Sequence, residues 1–341
     1  MSALPPTRDR PPAAPGPGPA VAGARVPLWR RLLPWGVAVA LLVAVFSRTD
    51  ARAVWANLRS VNLPAYVAFV ALFTVVNLAC DSLATWRAYR RVHPALPLRD
   101  LLVVRGASYL PNLVNYHVGQ AYLTYLLSRN YGVPLLRVVS STLVIYATLL
   151  SNFIVIAAAA MPFMGEPTPW VTTTIVPSAA GVAVYFVALA LRPGFAARLP
   201  AFTVLFEEGP LGHARLMLWR LPHIAVLSVG LWVGYWFFDV VIPPRAALTH
   251  IPVIMLFSAL PLTPQGAGMR EFVALHLLAA YAGGPAADPG AAILAAGAAW
   301  ATVTAAMQAV VGLSLAGPAA RLFAAATRRL SPPAAPSADA G

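Results

Sequence analysis

The sequence predicts an all-α polytopic membrane protein: six full transmembrane helices plus two broken re-entrant helical hairpins, in an inverted-repeat arrangement. Three observations predict it. Of 341 residues, 59% are hydrophobic and only 10% charged, with a mean hydropathy of +0.71; a soluble domain is typically about 25% charged. Apolar runs of about 20 residues recur, continuous rather than alternating, which excludes membrane strands. Two further apolar segments are interrupted in the middle. Each is divided into stretches too short to cross roughly 30 Å at 1.5 Å per residue.

Residues 1–27 are Pro, Ala and Gly with scattered Arg, a composition that cannot bury a core and reads as a disordered tail. Residues 331–341, "SPPAAPSADAG", read the same way. An integral membrane domain then occupies 28–330, with halves at about 30–165 and 166–325. Its opening run, "RRLLPWGVAVALLVAVFS", has the basic start of a signal peptide, but its length and the charge pattern favour a first transmembrane helix. Full spans are expected at about 32–47, 63–86, 138–161, 170–191, 222–243 and 289–317, and broken hairpins at about 98–128 and 249–282.

The charges orient this arrangement. All 24 basic residues are Arg, and the formal net charge is +13. They lie in short loops between apolar runs rather than on one face of a soluble domain, which argues against nucleic acid and for topology signals near anionic lipid. With the N-terminus inside, Arg87, Arg90, Arg91, Arg99, Arg129, Arg137, Arg192, Arg198, Arg215, Arg220, Arg321, Arg328 and Arg329 are cytoplasmic. The loops assigned outside, "MPFMGEPTPW" and "GGPAADPG", contain no basic residue; Arg48, Arg52, Arg59 and Arg245 are the minority against the rule. Both termini are then cytoplasmic, and the expected location is a bacterial inner membrane. The first hairpin enters from inside and the second from outside, the plan of many secondary transporters, whose site lies at paired broken helices.

Irregular backbone survives at membrane depth only where it is packed in protein or lines a wet cavity. In "ALPLTPQGAGMRE", Ala259 to Glu271, Pro261 and Pro264 end the incoming helix, and Gly266 and Gly268 permit a tight turn. The outgoing helix is expected to start near Met269, with its free N–H groups aimed into the break beside Arg270. An anion such as a lipid phosphate suits that site, although Glu271 could satisfy the same dipole internally and brace a kinked helix. The first break, "ASYLPNLVNYHVGQAYL", offers Asn112, Asn115, His117, Gly119 and Gln120, whose neutral groups suit a headgroup or a neighbouring backbone. The two breaks are expected to share a cavity.

Two carboxylates are read as lying within spans, Asp81 and Asp239, with Arg105 and Arg270 as candidate partners; intramembrane charges are costly and face the bundle interior. Proton coupling and a structural ion pair both remain open. Glu207 and Glu208 read as solvated, and Gly230 and Gly234 as a helix-packing pair. Cys80 is the single cysteine, and the six histidines lack metal-ligand spacing. No HExxH, GxSxG or P-loop is present, so no metal, no cofactor and no enzyme activity are expected.

"LPLTPQGAGMRE" resembles the signature of the flippase-like transmembrane family, typified by the membrane region of lysylphosphatidylglycerol synthases, and "YLPNLVNYHVGQAYLTYLLSRNYGV" resembles that family's first motif. The likeness covers roughly residues 30 to 325. Pro261, Pro264, Gly266, Gly268, Arg270 and Glu271 match, whereas Gln120 stands where Glu is usual, Leu123 where Arg is usual, and Gln265 where Gly is common. The resemblance implies a membrane protein that binds or translocates a phospholipid or lipid-linked precursor. The alternative is a membrane-embedded enzyme or accessory subunit acting on a lipid carrier. Membrane lipids with anionic headgroups are the expected partners, with a homo-oligomer or another membrane protein left open.

Overall fold

The computed structural model describes residue 43 and residues 50–163, 169–260, 266, 268–283 and 288–330, with side chains as far as 324. Both expected tails, and all but one residue of the first expected span, lie outside the described residues. Those described form α1 (Ala51–Ser60), α2 (Leu63–Tyr89), α3 (Leu98–Ala107), α4 (Tyr109–Asn112), α5 (Tyr116–Tyr131) and α6 (Leu135–Ala160). They continue as α7 (Pro169–Leu191), α8 (Gly194–Ala197), α9 (Thr203–Trp236), α10 (Pro244–Ala259), α11 (Met269–Leu278) and α12 (Pro289–Leu330). One isolated bridge, Val240 with Ala282, is the nearest thing to a strand among them.

Five helices are long and apolar enough to cross a membrane: Leu63–Tyr89, Leu135–Phe163, Pro169–Leu191, Pro200–Trp236 and Pro289–Ala324. Four coincide with expected spans. The span expected at 222–243 is displaced, because Gly209 breaks the chain at φ 61 and ψ −177 and a helix resumes at Pro210, runs through Pro222 and ends at Trp236. Proline directly after the break loses nothing, since its missing N–H has no intrahelical partner there. One further helix, α1, falls where the apolar pattern gave no signal. Asp50 caps it by accepting from the Arg52 N–H at 2.8 Å, Val54 and Asn57 are buried, and Trp55 and Arg59 stay exposed with the guanidinium 5.0 Å over the ring. Its buried face packs against α12.

In lipid, apolar burial gives little drive for helix association, so close packing and hydrogen bonds must supply it. The central pair is α2 against α9, where Gly230 lets the backbones approach across the Phe73 ring. Around this pair the contacts are reciprocal: α6 packs along α10, and α12 packs along α3. The helix that follows each broken segment thus packs on the helix that opens the other.

A common shift of 146 residues relates the two halves. It maps Trp86 onto Trp232, Tyr89 onto Tyr235 and Pro97 onto Pro243. The geometry repeats as well as the residues. The Trp86 Nε1–H donates to Leu96 O at 2.7 Å, and the Trp232 Nε1–H donates to Ile242 O at 2.9 Å. In each half an indole pins the connection ten residues on, a prolyl residue follows, and the broken segment begins at Leu98 or Pro244.

A Cβ at Gly230 would stand 2.4 Å from two atoms of the buried Phe73 ring, whereas one at Gly181 would meet nothing within 4 Å. Gly230→Val should therefore lower stability by about 1–3 kcal/mol, the usual cost of overpacking. Gly181→Ala should leave it unchanged, both read as melting temperature in detergent.

Candidate functional site

The first break follows from where the backbone can close its hydrogen bonds. Helix α4 ends at Asn112, and Asn115, in extended conformation, restarts the chain by accepting the His117 N–H on its side-chain oxygen at 2.7 Å. Gly119 then lies against the incoming arm so closely that a Cβ would be 1.5 Å from Asn112 Oδ1 and 2.8 Å from Ser108 O. No other residue fits between the arms. His117 Nδ1 meets the Tyr146 hydroxyl at 3.1 Å. Asn115 closes the hairpin's own backbone, and His117 ties it to α6.

Beneath the hairpin lies a buried charge cluster. The Arg105 Nε donates to Asp81 Oδ2 at 2.5 Å, and its Nη1 donates to Gln120 Oε1 at 3.0 Å. Gln120 in turn donates to the Tyr89 hydroxyl at 3.1 Å, and that hydroxyl meets Thr142 Oγ1 at 2.9 Å. The expected pairing of Asp81 with Arg105 is present. A third member was not expected: Arg220 Nη1 stands 3.6 Å from Asp81 Oδ1, with His223 Nδ1 at the same distance. Arg220, taken as a cytoplasmic charge, is instead 2% exposed. The reason is the early start of α9, which puts residue 220 a few turns inside the helix rather than before it. Its signal in the sequence was His223, one turn on and on the same helix face.

The second break differs in its electrostatics. Pro261, Pro264 and Gln265 lie outside the described residues. Gly266 (φ 72) and Gly268 (φ 78) take the left-handed backbone that favours glycine, and a Cβ at Gly266 would meet Ser258 Cα at 2.8 Å. Helix α11 starts at Met269, as the pattern predicts. Its first free N–H, that of Gly268, is taken by Glu271 Oε2 at 2.8 Å. Glu271 Oε1 accepts from both Arg270 Nε and Nη2, and Nη2 also donates to Gly297 O at 3.1 Å on α12. Arg270 and Glu271 thus form a closed, neutral pair that braces the turn.

Asp239 corrects the expected symmetry of intramembrane charges. It is exposed in the turn after α9, at φ 57, and its carbonyl accepts the Gly283 N–H at 2.9 Å. Aspartate tolerates that backbone better than most residues. Arg270 therefore takes its carboxylate from its chain neighbour. Glu208 is corrected too: its side chain is 5% exposed and pairs with Arg91 at 2.8 Å, while Glu207 pairs with Arg137 on the surface. The described residues beside the two breaks contact α12 at different levels. Leu110 packs on Gly312 and Arg270 on Gly297 of α12, a separation of roughly 22 Å along that helix at 1.5 Å per residue. A cavity of about 350 Å³ lies elsewhere, among Arg91, Glu207, Glu208 and Arg215 at one end of α2 and α9.

The sequence pattern of the lysylphosphatidylglycerol synthase TM region family matches residues 32–312, a stretch that contains both hairpins and every charge just described. The chain belongs to this family. No curated protein matches it. Within that stretch Gln120 presents a neutral amide oxygen to Arg105.

Asp81→Asn would leave two buried guanidiniums without a carboxylate. Removing one partner of a buried pair typically costs about 3–5 kcal/mol, so this variant should unfold at markedly lower temperature. Asp81→Asn with Arg220→Gln should recover part of the loss, since one uncompensated charge is removed; melting curves of the two proteins compare them directly.

Proposed function

We propose that this chain translocates a membrane lipid, a phospholipid or lipid-linked precursor with an anionic headgroup, between the leaflets of a bacterial inner membrane. The observation that carries the reading is a guanidinium beside each break, Arg105 and Arg270, each buried and each held by a carboxylate. Charges at that depth are costly, and a bundle keeps them where polar cargo must pass. No soluble catalytic segment enters this reading, which is that of a transporter and not of an enzyme.

The topology in this proposal is six full spans, with the first at about 32–47, two re-entrant hairpins opening to opposite faces, and both termini cytoplasmic. Helices α3 and α11 have 10 residues each, about 15 Å of rise, half the hydrocarbon thickness. The related connections before the two hairpins support opposite faces. "RAYRRVHPALP" carries Arg87, Arg90 and Arg91, and its counterpart "VGYWFFDVVIP" carries no basic residue. Positive charge marks the inner side. The reciprocal packing of α6 on α10 and α12 on α3 is what a two-fold axis in the membrane plane would produce.

Two experiments test the proposal. In a Cys80→Ser background, a cysteine at position 165 or 284 should react with an impermeant reagent from outside only; reaction from the cytoplasmic side would refute the topology. In proteoliposomes, Arg270→Ala should cut translocation of a headgroup-labelled phospholipid at least tenfold. Arg270→Ala with Glu271→Ala should restore most of the melting temperature and leave translocation low. A double variant that translocates at the normal rate would make the pair scaffolding and remove the second break from the transport path.

A further inference from the structure

Every other ion pair described in the protein balances one cation with one anion: Arg91 with Glu208, Arg137 with Glu207, and Arg270 with Glu271. The Asp81 cluster does not. It contains two guanidiniums, Arg105 and Arg220, and among the described residues Asp81 is the one carboxylate paired with either. The four side chains concerned, Asp81, Arg105, Arg220 and His223, are 4%, 5%, 2% and 6% exposed. An arginine is always charged, so the cluster carries a net charge of +1 with His223 neutral and +2 with it protonated.

The geometry shows which guanidinium holds the surplus. Asp81 gives its short bond to Arg105, at 2.5 Å, and its other oxygen accepts the Thr85 hydroxyl at 3.2 Å. Arg220 is left at 3.6 Å from that oxygen, beyond hydrogen-bond distance, and its Nη1 contacts His223 Nδ1 at 3.4 Å. The side chain that could balance the charge, Gln120, faces Arg105 through a neutral amide oxygen. An unbalanced buried charge is costly, and it is removed most simply by an anion from outside the chain.

We infer that the Arg105–Arg220 pair is a binding site for one monoanionic phosphate ester, the two guanidiniums, which now face different oxygens of Asp81, each taking one of its free oxygens. This rests on the lipid reading above and names the group recognised. Guanidinium forks suit phosphate oxygens better than any other side chain does. The site is closed in this structure. The ring of Tyr116, the first residue of α5, lies 5.8 Å from the Arg105 guanidinium and helps to cover it. At the second break Glu271 already balances Arg270, so that pair holds no surplus charge of this kind.

Gln120→Glu tests the inference by supplying the missing carboxylate from within. Purified full-length protein in non-ionic detergent is titrated with dihexanoylphosphatidylglycerol, with dihexanoylglycerol and with inorganic phosphate, and melting temperature is followed. The wild type should be stabilised by the phospholipid and not by the uncharged diacylglycerol. Gln120→Glu should melt higher without lipid and need at least tenfold more phospholipid for the same shift; Arg220→Gln should need at least tenfold more as well. Equal stabilisation by inorganic phosphate at the same concentration would keep the phosphate chemistry and refute the lipid source. The inference is overturned if both variants titrate like the wild type, if diacylglycerol works as well as phospholipid, or if Gln120→Glu fails to fold, because a net positive cluster should welcome the added carboxylate. Binding is read here without transport. Normal binding with no translocation would therefore count against the proposed function alone, and normal translocation with no anion response against the site alone.

Discussion

The Asp81 carboxylate is the point on which the arrangement of the first half depends. It sits two-thirds of the way along α2 and holds Arg105 of the first hairpin on one oxygen while facing Arg220 of α9 with the other. Three elements from both halves of the chain are thereby fixed to one group. Hydrocarbon offers no water to compensate a displaced charge, so none of the three can shift without exposing a guanidinium or a carboxylate. The neutral groups around them follow from this. Gln120 accepts a second hydrogen bond from Arg105 and donates to the Tyr89 hydroxyl, and Thr142 extends the chain to α6.

The bilayer also explains why the breaks are built so differently from loops in water. A broken helix releases N–H and C=O groups that must be satisfied inside the protein. The first break does this with Asn115 on the His117 N–H, and the second with Glu271 on the Gly268 N–H. Glycine enters where two backbones have to touch, at Gly119 against Ser108 and Asn112 and at Gly266 against Ser258. Asn112 and Ser258 are related by the same 146-residue shift that relates Trp86 and Trp232. The close approach of hairpin arms is thus a property of the repeat, whereas the charges beside it belong to each half separately.

Much of this was legible in the sequence because its causes are local. Apolar runs locate long helices, prolines and glycines locate breaks, and the start of α11 at Met269 follows from Gly268 and Glu271. What depended on helix ends was misread. The glycine at 209 and the proline at 210 move the start of α9, and with it Arg220 passes from a presumed loop into the buried cluster, while Asp239 passes out of the presumed span into an exposed turn. Of the two readings open for Arg270, a carboxylate elsewhere in the bundle or the adjacent Glu271 bracing the kink, the structure has the second. The repeat itself was visible in "WRAY" and "WVGY", but two residues shared at such spacing gain meaning only when each indole is seen to bind the carbonyl ten residues ahead.

The difference between the halves then acquires a physical sense. If both breaks were closed by internal ion pairs, the bundle would have no electrostatic reason to admit a charged group at all. In this chain the second break is closed, with Glu271 satisfying both the helix terminus and Arg270. The first is one carboxylate short, because residue 120 is Gln. A site that is neutral when empty must lose an interaction to bind an anion, while a site with surplus positive charge gains one. An amide at residue 120 thus keeps Arg105 hydrogen-bonded without neutralising it, and leaves the surplus positive charge beside the first break.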